Sequence, residues 1–152
     1  MPGFRSRSLI LCGLIGGTLV VAACGSGDAE LTYWSNGTDQ NKAVESYAGS
    51  EHCGWQDVTF LHVQLPLPGQ TGVAANRQYV RDPAGRLDAE VRATYAPRTE
   101  LPADARSTGY AGPDGRQLWL APSDSDTLAY VVYPDSRRVE AWPRTTQTLG
   151  CD

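Results

Sequence analysis

The sequence predicts one α+β domain, mainly antiparallel β-sheet made of hairpins and a C-terminal meander, with one short N-terminal helix. Three observations lead there. From Asp57 onward the chain falls into short segments rich in β-branched and aromatic residues, many with apolar side chains at alternate positions, the period of a strand. Turn sequences separate these segments: Asp82-Pro83-Ala84-Gly85, Gly112-Pro113-Asp114-Gly115 and Pro134-Asp135-Ser136. Asp39 to Ala48 carries the helix signals. Asp39 can cap the start, Ala43, Val44, Tyr47 and Ala48 share one helical face, and Gly49 can end it.

Taken in order, Leu31 to Trp34 forms a short strand or an ordered approach, and Asn36-Gly37 turns the chain. The helix over Asp39–Ala48 is about three turns and must dock to be stable. Asp57 to Leu65 is the strongest strand. Val58, Phe60 and His62 point one way and Thr59, Leu61, Val63 and Leu65 the other, so both faces are covered. Pro66 and Pro68 end it, and a Gly- and Pro-containing loop runs to Asn76. Arg77 to Arg81 is a strand closed by the turn at Asp82–Gly85. Arg86 to Tyr95 alternates as a strand, although Leu87, Val91 and Tyr95 also fit helical spacing. Pro97 to Ser107 is a loop with a helical turn at Pro102 to Ala105. Gly112–Gly115 links Thr108–Ala111 to Arg116–Ala121 as a hairpin. Thr127–Tyr133 and Arg138–Trp142 complete the meander.

The N-terminus gives the location. Arg5 and Arg7 precede an uncharged apolar run from Leu9 to Ala23, the layout of a secretory signal peptide. The run is shorter than the ~20 residues a spanning helix needs. Val21-Ala22-Ala23-Cys24 resembles a bacterial lipobox. That resemblance implies a diacylglyceryl group on Cys24 and cleavage before it. Two acyl chains suffice for stable anchoring. The expected organisation is a lipoprotein signal peptide at 1–23, a lipidated tether at 24–30 and one extracytoplasmic domain at 31–152.

Removal of the first 23 of 152 residues leaves 129, enough for one domain with a core. Arg5 and Arg7 leave too, so 11 of the 13 basic residues face all 17 acidic ones and the mature net charge is about −6. Such a surface repels nucleic acid and anionic lipid. The expected partners are the membrane, through the lipid on Cys24, and a protein or cell-envelope ligand. Cys12 is lost with the signal peptide. Cys53 and Cys151 remain where disulfides persist, and the simplest pairing joins them across 98 positions. The alternative is a free, reactive Cys53.

Few residues suggest chemistry. His52, Cys53, Asp57 and His62 lie within eleven positions, which suits a metal site or a Cys/His nucleophile pair. Against this, Cys53 is needed for the disulfide, His62 sits mid-strand as a hydrogen-bonded histidine would, and no further ligand has familiar spacing. There is no Gly-x-Ser-x-Gly elbow, phosphate loop or dinucleotide fingerprint, and no cofactor is implied. Asp124-Ser125-Asp126 offers oxygen ligands but lacks the Gly and distal Glu of a calcium loop, so it reads as a solvated turn. Trp34, Trp55, Trp119, Trp142 and seven Tyr mostly pack the core of such a domain, leaving one or two for a binding face.

His52-Cys53-Gly54-Trp55, Thr59-Phe60-Leu61, Tyr79-Val80-Arg81-Asp82-Pro83, Leu118-Trp119-Leu120 and Gly150-Cys151 together resemble a group of small actinobacterial lipoproteins of no assigned activity. The resemblance implies the same location and a Cys53–Cys151 pair, and it supplies no catalytic residue. The expected function is non-enzymatic binding or structural work at the outer face of the cytoplasmic membrane. The alternative is a small secreted hydrolase or metal-handling protein using His52 and His62.

Overall fold

A computed structural model describes residues 31–38, 43–49, 54–72, 74–87, 96–98 and 100–146. Its strands are β1 (Leu31–Tyr33), β2 (Val44–Ala48), β3 (Thr59–Leu65), β4 (Ala75–Arg81), β5 (Ala96–Arg98), β6 (Arg106–Ala111), β7 (Gln117–Leu120), β8 (Leu128–Tyr133) and β9 (Arg138–Pro143). They form two antiparallel sheets, ordered β1-β2-β3-β4 and β5-β9-β8-β7-β6. The expected α+β class is corrected: the described residues are all-β and contain no helix.

The predicted helix over Asp39–Ala48 is the specific error. Of that segment residues 39–42 lie outside the described residues, and Val44–Ala48 is strand β2. Val44 and Ser46 point into the core while Glu45 and Tyr47 are half-buried on the opposite face, the two-residue period of a strand. Ser46 is buried because Trp34 Nε1 donates to its Oγ at 3.1 Å. A polar residue at an inward position masks the alternation. Gly49 ends no helix. A side chain there would lie 2.1 Å from the Trp55 carbonyl oxygen, so glycine permits the close approach of two backbones.

The main core lies between the sheets. Leu61, Val63 and Tyr79 from the first meet Leu118, Leu120, Ala129, Val131 and Trp142 from the second, alternate positions of adjacent strands that share one face. Fully burying a side chain of the Val, Leu or Phe class contributes roughly 1.5–3 kcal/mol. Trp34 and Trp142 are buried, Trp55 and Trp119 half-buried. The sandwich is closed at two corners. Ser35 and Ala111 exchange backbone hydrogen bonds of 2.9 Å, joining the end of β1 to β6. At the other corner Tyr79 pairs with Arg144, and Thr145 N donates to Gln78 O at 2.9 Å.

Several predicted elements take shape as expected. β3 ends at Leu65 before Pro66, and β6 and β7 form a hairpin in which Gly112 N donates to Arg116 O at 2.9 Å. At the place of the expected helical turn Ala105 N donates to Pro102 O at 3.0 Å, a single turn that forms no helix. The loop expected from Pro97 begins instead within β5, which pairs with β9. The larger part of the Arg86–Tyr95 segment, residues 88–95, lies outside the described residues.

Candidate functional site

Register brings together what the linear sequence separates. Tyr33 on β1 stands opposite Glu45 on β2, Glu45 opposite His62 on β3, and His62 opposite Gln78 on β4. The four side chains form one row across the outer face of the first sheet, facing away from the core. Adjacent strands lie about 4.8 Å apart, so the row is roughly 14 Å long.

The middle of the row is tied together. Glu45 Oε1 accepts from His62 Nδ1 at 3.1 Å and also from the Tyr47 hydroxyl. A carboxylate only accepts, so His62 carries its hydrogen on Nδ1. The other ring nitrogen, Nε2, meets the Asn76 side-chain amide. That amide offers its oxygen to the imidazolium and, turned over, its nitrogen to the neutral ring. Glu45 and His62 keep 15% and 19% of their side-chain surface exposed, so both are held yet reachable. Burial, then the bond to Glu45, pushes the Tyr47 phenol up to about 12.

The same outer face divides in two. At one end Val58, Phe60 and Val80 are buried under Tyr47, Trp55 and Leu87, and Trp55 meets Phe60 at 6.1 Å between ring centroids. Arg86 pins this cover by donating to Gly54 O at 2.7 Å and Asp57 Oδ2 at 3.0 Å. The polar row occupies the other end. Beside it, Leu31 and Tyr33 are the exposed large hydrophobics among the described residues, at 40% and 44%.

A second polar cluster bridges the sheets. Glu140 on β9, 1% exposed, accepts from Arg81 Nε at 3.1 Å, Tyr133 Oη at 3.1 Å and Trp142 Nε1 at 3.0 Å, all on Oε2. Its Oε1 lies 3.4 Å from Arg138 Nε. Arg81 comes from β4, so this ion pair ties one sheet to the other. Arg138 also stacks over the Tyr133 ring at 4.1 Å.

Of the residues singled out in the sequence, His62 belongs to the polar row, and Asp57 is an exposed partner of Arg86. Cys24, His52, Cys53 and Cys151 lie outside the described residues. The turn at Asp124–Asp126 is less solvated than expected. Ser125 is 1% exposed, its carbonyl accepts from the Tyr79 hydroxyl at 2.6 Å, and Asp124 accepts from the Tyr130 hydroxyl. Among the described residues no three His, Cys, Asp or Glu side chains are grouped to hold a metal ion.

Glu45, Tyr47, Asn76, Gln78 and Glu140 were not anticipated. Glu45 and Tyr47 fall within the segment that carries helix signals, and the pairing that aligns the others is tertiary. Compared with known proteins, the chain matches no family model, no curated protein and no solved structure.

Proposed function

We propose that this chain is a lipid-anchored, extracytoplasmic binding domain that presents the outer face of β1–β4 to a ligand of the cell envelope, without catalysing a reaction. The observation that carries the reading is the partly exposed polar row Tyr33, Glu45, His62 and Gln78, flanked by exposed Leu31. An exposed tyrosine beside pre-positioned polar groups is the chemistry of a recognition surface. The anchor is supported by the uncharged Leu9–Ala23 run and the lipobox-like Val21–Cys24. Seven residues, Cys24 to Glu30, would then separate the lipid from β1. At ~3.3–3.6 Å per residue the reach is at most about 25 Å, so the edge of the binding face would stay near the membrane.

A hydrolase reading rests on one observation, the 3.1 Å Glu45–His62 contact, which orients an imidazole as an acid–base group requires. Two variants separate the readings in cells lacking the protein, each checked for membrane retention and folding. On the binding reading Tyr33→Ala abolishes complementation, while His62→Gln, which keeps hydrogen-bonding groups, retains part of it. A folded, abundant His62→Gln protein behaving as a null, with Tyr33→Ala active, overturns the proposal in favour of histidine chemistry.

A further inference from the structure

We infer that the polar row binds a neutral, polyhydroxylated chain: an uncharged glycan of the cell envelope. The inference rests on the binding reading above and names its ligand class. The residue types exclude most alternatives. Phenol, carboxylate, imidazole and carboxamide groups stand side by side in the row, a mixture of donors and acceptors on planar groups. None of the outward-facing residues of β1–β4 is Lys or Arg. A phosphate, sulfate or carboxylate polymer would meet no lysine or arginine on this face of the strands, and a mature charge of about −6 would repel it. The carboxylate on the row, Glu45, is already engaged by His62 and Tyr47, which leaves little for a polycation.

Hydroxyl-rich ligands fit what remains. A sugar hydroxyl both donates and accepts, so it matches the mixed donors and acceptors of the row. The apolar C–H face of a sugar ring suits the exposed Tyr33 ring and Leu31 beside it. The row spans three interstrand gaps, roughly 14 Å, so its length calls for several linked sugar units rather than one. Glu45 and His62 are fixed by Tyr47 and Asn76 before any ligand arrives, which lowers the ordering cost of binding.

The test is a titration of the intact, isotopically labelled protein followed by amide chemical shifts. The probes are a panel of neutral tetrasaccharides that includes chitotetraose and mannotetraose, their monosaccharides, poly-glutamate and poly-lysine. The expected result is that at least one neutral tetrasaccharide shifts the amides of Tyr33, Glu45, His62 and Gln78 at millimolar concentration or below, its monosaccharide binding more weakly. Tyr33→Ala, a change at an exposed position, should then weaken binding by about tenfold. No response on the row to any tetrasaccharide overturns the inference, as does a response that Tyr33→Ala leaves unchanged. Shifts on the row from poly-glutamate or poly-lysine alone overturn the glycan while leaving the binding face standing. Failure of the glycan assignment leaves the complementation result of Tyr33→Ala untouched, so the two proposals fail separately.

Discussion

Glu140→Gln tests how the two sheets are held together. The carboxylate is 1% exposed and its nearest cation, Arg81 on the opposite sheet, is 27% exposed at 3.1 Å. At an effective dielectric constant of about 20 the gross attraction at that distance is roughly 5 kcal/mol. Desolvation offsets much of it, so the pair contributes little net stability when intact. Breaking it is different. The amide still accepts from Trp142 Nε1 and Tyr133 Oη, but Arg81 is left facing a neutral group in a largely buried place. Loss of one partner of a buried pair costs about 3–5 kcal/mol, and the partial exposure of Arg81 places this case near 3. Arg138, half exposed, adds little. Arg81→Met should cost a similar amount by leaving the carboxylate short of its closest charge. The double variant should be more stable than the sum of the two losses predicts, by roughly 1.5–3 kcal/mol. Urea unfolding followed by tryptophan fluorescence reads this directly, because Trp34 and Trp142 are buried in the main core. With a slope near 2 kcal/mol per M, each single variant moves the midpoint by about 1.5 M. Strict additivity, or single losses under about 1 kcal/mol, would refute the idea that Glu140 and Arg81 act as an inter-sheet pair.

Three further outcomes are expected. Cys24→Ser should abolish labelling by a lipid precursor and release the protein from the membrane fraction; unchanged fractionation would remove the anchor. Protein taken from an oxidising compartment should show no alkylatable thiol at Cys53 or Cys151, and loss of either cysteine should cost about 2–5 kcal/mol; two freely reactive thiols would exclude the pairing. Burial pushes the phenols of Tyr47 and Tyr79 up from 10.0 to about 12, and burial with the bond to Asp124 raises Tyr130 as well. A raised folded-state value means that the folded protein holds the phenol proton more tightly than the unfolded chain does. That stability is full below pH 10 and is lost as pH climbs toward 12, so the urea midpoint should fall across this window while phenolate absorbance lags that of free tyrosine.

Most strands were legible where apolar residues alternate without interruption. Thr59–Leu65 shows its two faces in sequence because Leu61 and Val63 pack between the sheets while Phe60 is covered from outside. The β6–β7 hairpin follows from Gly112-Pro113-Asp114-Gly115, whose Gly115 adopts φ of 80°. β2 was missed for a specific reason. Its inward Ser46 is tolerated because Trp34, twelve residues earlier, donates to it, and a one-dimensional pattern cannot show that partner. Glu140 was hidden the same way: a buried carboxylate reads as a solvent-facing residue until Arg81 arrives from the other sheet. The polar row depends on register across four strands, so its members are scattered from residue 33 to residue 78. Of its members His62 stands out in the sequence, because it lies within eleven positions of His52, Cys53 and Asp57.

The central claim is that the outer face of β1–β4 meets a ligand in the cell. It is tested most directly by placing a photo-crosslinking phenylalanine analogue at position 33, where the native Tyr33 is 44% exposed. The same analogue goes at Ser136, exposed in the turn between β8 and β9. After irradiation of intact cells, position 33 should give a discrete crosslinked species that Gln78→Ala diminishes, and position 136 should give none. Equal crosslinking at both positions, or crosslinking at 136 alone, would contradict the assignment of this face.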